Sequence, residues 1–359
     1  MTSTFDPVTV GKYQLANRIV MAPMSRSRAY GPGACPAPST ARYYRQRATA
    51  GLIISEGIQP SPVGQGYPAT TGLYSAEQVA GWRAVTEAVH EAGGVIFGQL
   101  MHAGRIGHPS NLPAGLRPVA PSAIAANAKV FTSEGPKDCV VPHELSAAEI
   151  AGTIAEFTTA ANNAMAAGFD GVEIHGANGF LPHQFLADNT NRRSDEWGGS
   201  IEGRIRFAVA LASAVSGAVG GERVGFQISP GNPYNDIVET NIQPTYLELV
   251  AALDRLNLAY LNVSETQDRA LTTRLRAGWS SAFILNPGTT PGATGPADLG
   301  LVADGTTDLL SFGALFLANP DLPHRLALGG PFNEPDRATF YGGGDHGYID
   351  YPSLYGSIA

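Results

Sequence analysis

Short, almost continuously apolar runs recur along the chain, separated by longer stretches whose apolar residues fall at helical spacing. The runs are Arg18–Ala22, Leu52–Ser55, Val95–Leu100, Val172–His175, Val224–Ser229, Tyr260–Ser264, Ala282–Leu285 and Leu309–Phe312. Runs this short and this uniformly apolar are what strands buried on both faces look like. Between them, Ser75-Ala-Glu-Gln78 and Ser146-Ala-Ala-Glu149 read as capping boxes, in which hydroxyl and N3 side chain satisfy the first free amides of a helix. The helix begun at Ser146 runs towards Gly168, a plausible C-terminal stop. Further helices are predicted over Ser39–Ala50, Ile201–Val219, Thr245–Leu256 and Thr266–Ala277.

Eight buried strands alternating with helices predict an α/β fold, a (β/α)8 TIM barrel. One Pro- and Gly-rich excursion, residues 103–145, interrupts the alternation and reads as a surface insertion carrying a hairpin. With no repeat, charge block or linker, residues 1–359 are expected to form one domain, although their number would suit two.

Composition narrows the class of partner. Lys and Arg number 23 against 31 Asp and Glu, a net charge of −8, which disfavours nucleic acid and anionic membrane surfaces. Cys35 and Cys139 are too few for a disulfide scaffold or a thiolate zinc site. The eight His show no metal-binding spacing, so no metal is expected. The first residues lack a basic segment followed by an apolar one, and no stretch reaches the roughly 18 apolar residues of a spanning helix. These features imply a cytoplasmic globular chain that takes a small molecule, and none of them fixes an oligomeric state.

In a barrel of this kind the chemistry lies at the C-terminal ends of the strands. Those ends carry Pro23-Met24-Ser25, Glu56-Gly57, Gln99, His175 with Asn178, Gln227, Glu265, Asn286 and Gly313-Ala314. This is a hydrogen-bonding mouth with few charges. A His and an Asn three residues apart just past a strand can both donate to one carbonyl oxygen, polarising an enone or stabilising a developing enolate. Taken alone, His175 could equally cap a strand and Asn178 make a turn. Glu265 reads as a helix-start carboxylate, and Tyr341-Gly-Gly-Gly344 as a turn.

Longer motifs say more. MAPMSR (21–26), QLMHAGR (99–105), GVEIHGANGFLPHQFLADNTNRRSDEWGGS (171–200) and ANPDLPHRL (318–326) resemble the old yellow enzyme family, and the likeness runs from near residue 8 to the C-terminus. The resemblance implies a TIM barrel with FMN across its mouth and NAD(P)H-driven reduction of activated alkenes. It implies that Pro23, Met24, Ser25, Gly57, Gln99 and Gln227 stand at cofactor-binding positions. His175 and Asn178 match the pair that holds the substrate carbonyl. Ser25, Gly57, Gln99, Met101, Phe180 and Gln227 are the expected substrate pocket.

The chain departs from that pattern at four places. Gln227 stands where the family has an Arg on the flavin's edge, and Ala314 where it has the Arg that grips the phosphate. Residues 286–300, NPGTTPGATGPADLG, replace a short phosphate loop and carry prolines that remove amides. Phe180 stands where the family has a proton-donating Tyr. Arg26, Arg28, Arg274 and Arg276 are the cations that could compensate. From these changes the sequence favours a barrel that works without a cofactor. Such a barrel would catalyse a non-redox isomerisation or cyclisation of a conjugated, polyunsaturated carbonyl compound in specialised biosynthesis. The alternative is an FMN-dependent NAD(P)H ene-reductase taking its proton from water or from Tyr67, Tyr74 or Tyr234. The third possibility is a ligand-binding barrel without catalysis.

Overall fold

The computed structural model describes residues 2–266, 268–288 and 292–354. Eight parallel strands close on themselves as a barrel: β1 (Ile19–Met21), β2 (Leu52–Ile58), β3 (Ile96–Leu100), β4 (Gly171–Gly176), β5 (Val224–Ile228), β6 (Tyr260–Ser264), β7 (Ala282–Asn286) and β8 (Leu309–Phe312), with β8 pairing back to β1. Each predicted run coincides with one of them to within three residues at either end, and the (β/α)8 architecture stands. Closure leaves no unpaired edge and tilts alternate side chains into the lumen.

The helices pack outside. The principal ones are α1 (Pro38–Arg45), α2 (Ala76–Glu91), α3 (Ala147–Ala166), α4 (Leu181–Leu186), α5 (Ile201–Val219), α6 (Ile242–Asp254) and α7 (Arg269–Ala277). Both predicted capping boxes form, at Ser75 with Gln78 and at Ser146 with Glu149. Two boundaries move for identifiable reasons. α1 stops at Arg45 rather than near residue 50, and turns follow it. There the buried Arg47 side chain donates to the carbonyls of Tyr43 (2.8 Å), Phe316 (3.2 Å) and Leu317 (2.6 Å). α7 starts at Arg269 because Asp268 caps it, its Oδ1 accepting from the Leu271 amide at 2.9 Å. Of its predicted first turn, Gln267 lies outside the described residues.

An N-terminal hairpin, Val8–Val10 with Tyr13–Leu15, closes the end of the barrel away from the strand C-termini. Val10 and Leu15 pack there with Val20, Leu52, Ile54, Phe97 and Tyr260. The excursion at 103–145 carries a hairpin, Lys129–Thr132 with Gly135–Asp138, and a short parallel pair, Val119–Ala120 with His143–Glu144. No helix among the described residues is long and apolar enough to cross a membrane.

The tail after α8 (Leu322–Leu328) returns to β1 and is held by arginines that donate to its backbone. Arg26 reaches the carbonyls of Phe340 (3.0 Å) and Gly347 (2.8 Å), and Arg28 those of Thr339 (3.0 Å), Gly344 (2.6 Å) and His346 (3.0 Å). Tyr348 stacks on Tyr43 with ring centroids 4.2 Å apart. Arg47 completes this layer, its guanidinium 3.9 Å from the Tyr43 ring centre. Replacing it with a side chain of similar length but no donors strands three buried carbonyls. Arg47→Met is therefore expected to lose ~2–4 kcal/mol, read as a lower urea midpoint at unchanged slope. A midpoint equal to the parent's would show that the carbonyls are satisfied some other way.

Candidate active site

The register of the strands decides which side chains meet. Gln99 pairs with Glu173, while His175 pairs with Gln227 and Gln227 with Asn262. These five are polar and almost fully buried, while their neighbours Ile174, Phe226 and Leu261 join the apolar core outside the lumen. One hydrogen-bonded floor results. The Gln99 amide donates both to Glu173 Oε1 at 2.8 Å and to Gln227 Oε1 at 2.9 Å. Asn262 Nδ2 donates to the other Glu173 oxygen at 2.9 Å. Burial pushes the Glu173 carboxyl up to about 7, against the pull of the Asn262 and Gln99 amides. Neither Glu173 nor Asn262 was foreseen as a site residue. The signal was there: Glu173 is the one charge in the apolar run VEIH and has the same strand parity as His175.

Above this floor, His175 and Asn178 close the end of β4. The Ala177 amide donates to His175 Nδ1 at 3.3 Å, so the ring's own proton belongs on Nε2. Burial lowers the imidazole to about 3, so it is neutral at every working pH and offers one N–H. Asn178 sits at φ 55°, a left-handed conformation that Asn tolerates better than most residues. Its amide N–H donates to Ser229 Oγ at 2.9 Å, and its carbonyl accepts from Asn235 Nδ2 at 2.8 Å. Its Oδ1 accepts from Asn232 Nδ2 at 2.9 Å. The side-chain NH2 is the group left to donate. Gly179, at φ +75°, has to be small, because a Cβ there would lie 2.6 Å from Asn235 Cβ.

Phe180 lies edge-on to His175, with centroids 4.8 Å apart, and also meets Tyr67 at 6.4 Å. It shares an apolar cluster with Met101 and Ala103. The Tyr67 phenol is raised above its usual range, chiefly by burial and then by Tyr234. Of the three tyrosines proposed from sequence as proton sources, Tyr67 is thus beside Phe180, and Tyr234 is next to Tyr67. Tyr74 instead belongs to the start of α2, its amide donating to Gln78 Oε1 at 2.7 Å. Pro23, Met24 and Ser25 follow β1 half-buried, and Met24 reaches the end of β8, its Sδ 3.8 Å from where a Gly313 Cβ would stand. Gly57 lies beyond a register shift in β2, and a Cβ there would come within 2.7 Å of Met101 Sδ. Gly57 is therefore required where the Met101 side chain packs against the backbone of β2.

The other half of the mouth differs in character. A cavity of about 880 Å³ lies over the ends of β5 to β8, lined by Pro230, Glu265, Asp268, Asn286, Thr294 and Ala314 among others. Glu265 is held by Arg269 through 2.6 and 2.7 Å bonds and accepts the Gly288 amide at 3.0 Å. Asn286 Nδ2 donates to Thr294 Oγ1 at 3.1 Å and to the Ser311 carbonyl at 2.9 Å. The four compensating arginines are committed elsewhere. Arg26 and Arg28 hold the tail, Arg274 bonds Gln243 at 2.8 Å, and Arg276 bonds Asp308 at 3.0 Å.

Residues 3–333 match the model of the NADH:flavin oxidoreductase / NADH oxidase family. A protein of Leishmania infantum named "Probable flavin mononucleotide-dependent alkene reductase" is 41% identical over 357 residues, 97% of this chain and 96% of that protein. The 12-oxophytodienoate reductase 2 of Arabidopsis thaliana is 36% identical over 365 residues, 97% of this chain and 95% of its own length. The solved structure of morphinone reductase in complex with tetrahydroNAD superposes with a TM-score of 0.93 at 41% identity, covering 99% of this chain and 98% of that one.

These findings overturn the expectation of a cofactor-free isomerase or cyclase: they favour the alternative, a flavin-dependent reductase. The expectation rested on four positions. A flavin site is spread over many contacts, so a few changed positions do not decide it. The buried amides of Gln99 and Gln227 fit a planar, hydrogen-bonding ring system. Among the described residues, the cavity over β5 to β8 supplies no cationic side chain to a phosphate.

The uncharged floor has a thermodynamic consequence. Between about pH 4.5 and 7 an unfolded chain loses the Glu173 proton while the folded chain keeps it. Stability therefore falls as pH rises through that window, by up to ~3 kcal/mol. Glu173→Gln, which cannot ionise, is expected to be more stable than the parent at pH 8 and no more stable at pH 4.5, by urea titration at both. Equal pH profiles for the two proteins would place the buried proton elsewhere.

Proposed function

This chain belongs to the NADH:flavin oxidoreductase / NADH oxidase family, and we propose that it reduces the C=C bond of small α,β-unsaturated carbonyl compounds with NAD(P)H and FMN. The observation that carries the reading is the state of His175 and Asn178. Each has its other polar groups engaged by the protein, and each is left with N–H to donate at the end of β4.

The chemistry that FMN would supply when bound is hydride transfer from the nicotinamide to the alkene. Gln99 and Gln227 would hold the flavin ring from the barrel floor, with Pro23, Met24 and Ser25 at the end of β1 and Gly57 beside it. The chain's own part is to bind and polarise. Nε2–H of His175 and the Asn178 amide donate to the substrate oxygen and withdraw electron density from the conjugated alkene. A neutral imidazole donates without giving up its proton, and at about 3 it stays neutral across the working range. Met101 and Phe180 bound the substrate on the apolar side. Phe180 cannot deliver the proton that completes reduction, so that proton comes from Tyr67, whose phenol lies next to it, or from water.

The test is anaerobic NADPH and NADH oxidation with 2-cyclohexenone, with the saturated ketone measured as product. His175→Ala and Asn178→Ala are each expected to lower kcat/KM by ~10²-fold or more. Tyr67→Phe should lower kcat by ~10–10²-fold if the phenol is the proton source, and leave it unchanged if water is. Absence of enone-dependent oxidation in FMN-supplemented protein, across several enones, would refute the reductase reading.

A further inference from the structure

The half of the mouth over β5 to β8 has a charge pattern that the proposed reaction does not explain. In TIM barrels, a phosphate group is commonly held by the loops after the seventh and eighth strands, where free backbone amides and a helix start face it. Here that position is the cavity containing Asn286, Thr294, Gly313 and Ala314. Its described lining carries two carboxylates, Glu265 and Asp268, and no Lys, Arg or His.

The sequence extends this to every residue of the loops. From Val224 to Asp254, from Leu256 to Asp268 and from Ala277 to Pro323 there is no Lys, Arg or His. The cations between these stretches are also accounted for. Arg269 is tied to Glu265 in a two-point ion pair, and Arg274 and Arg276 bond Gln243 and Asp308. Arg255 lies exposed just past the C-terminal end of α6, on the side of the barrel where β6 begins. Some of the neutral donors are spent as well. Gly288 gives its amide to Glu265, Gly295 gives its amide to Asp298, and Asn286 gives both amide hydrogens to Thr294 and Ser311.

We propose that the flavin site of this chain recognises the ring end of the cofactor and not its phosphate, so that FMN has no advantage over riboflavin. The proposal rests on the flavin-dependent reading above and adds to it a selectivity. A phosphate dianion entering this cavity would lose hydration without gaining a cation, and would face Glu265 and Asp268. One charged phosphate contact is worth about tenfold to a hundredfold in affinity, and none is available here.

The experiment is a titration of the full chain with FMN and with riboflavin. It is read by quenching of flavin fluorescence after exchange of any copurified flavin, at 20 and 500 mM NaCl. The two dissociation constants are expected to agree within about tenfold, with FMN binding no weaker at high salt. Ala314→Arg, checked for an unchanged melting temperature, should open a gap of at least tenfold in favour of FMN and leave riboflavin unmoved. FMN binding more than tenfold tighter than riboflavin, or weakening steeply with salt, would overturn the proposal and leave the reductase reading intact. Failure of both flavins to bind would overturn the ring-end recognition proposed here as well. That outcome would also sink the reductase reading.

Discussion

A carboxyl group inside the barrel, surrounded by amides and not by a cation, sets the character of the mouth. Glu173 on β4 is bonded by Gln99 from β3 and Asn262 from β6, and Gln99 also reaches Gln227 on β5. Four adjacent strands are thereby linked at one level of the lumen by neutral donors. An Arg at position 227 would ionise that carboxyl and place a salt pair beneath the site. With Gln there, the carboxyl is driven towards its neutral form, and the floor becomes a set of dipoles. What approaches from above meets oriented hydrogen bonds with little net charge.

The two halves of the mouth then divide the work. Over β3 to β5 the donors are counted out, so that His175 and Asn178 each present N–H and little else. That economy comes from the loop after β4, where Ser229, Asn232 and Asn235 from the next loop occupy every other polar atom of Asn178. Over β6 to β8 the reverse holds. The polar groups satisfy one another and the space between them is large. Specific recognition is therefore concentrated on the first half.

Much of this was legible in the chain. All eight strands were, because a barrel strand sandwiched between a filled lumen and a helix must be apolar on both faces, and such runs stand out. The two capping boxes were legible because their chemistry is local. What was missed depends on distant partners. α1 ends early because Arg47 bonds carbonyls contributed by Phe316 and Leu317, some 270 residues away in sequence. The hairpin at Val8–Leu15 has no alternating signature long enough to notice. α4 starts at Leu181 without a side-chain cap. Within the candidate site, His175 and Asn178 were singled out by spacing and family likeness. Ser229, Asn232 and Asn235, which orient Asn178, could only be found in three dimensions. The inference of a cofactor-free enzyme failed for a related reason: it weighed single substitutions at a cofactor's charged end, where a few residues dominate, against a binding surface distributed over the whole mouth.

Every hydrogen bond that Arg26 and Arg28 give to the C-terminal tail goes to a carbonyl oxygen. Carbonyls belong to the backbone, so this latch makes no demand on which side chains residues 339 to 347 carry, provided the chain can follow the same path. Over evolutionary time the two halves of the latch should age differently. The arginines beside β1 are fixed by what they hold, while the tail they hold is free to drift in sequence wherever it does not turn on a glycine or stack as Tyr348 does. Relatives that look unalignable over their last twenty residues could thus share the same closure.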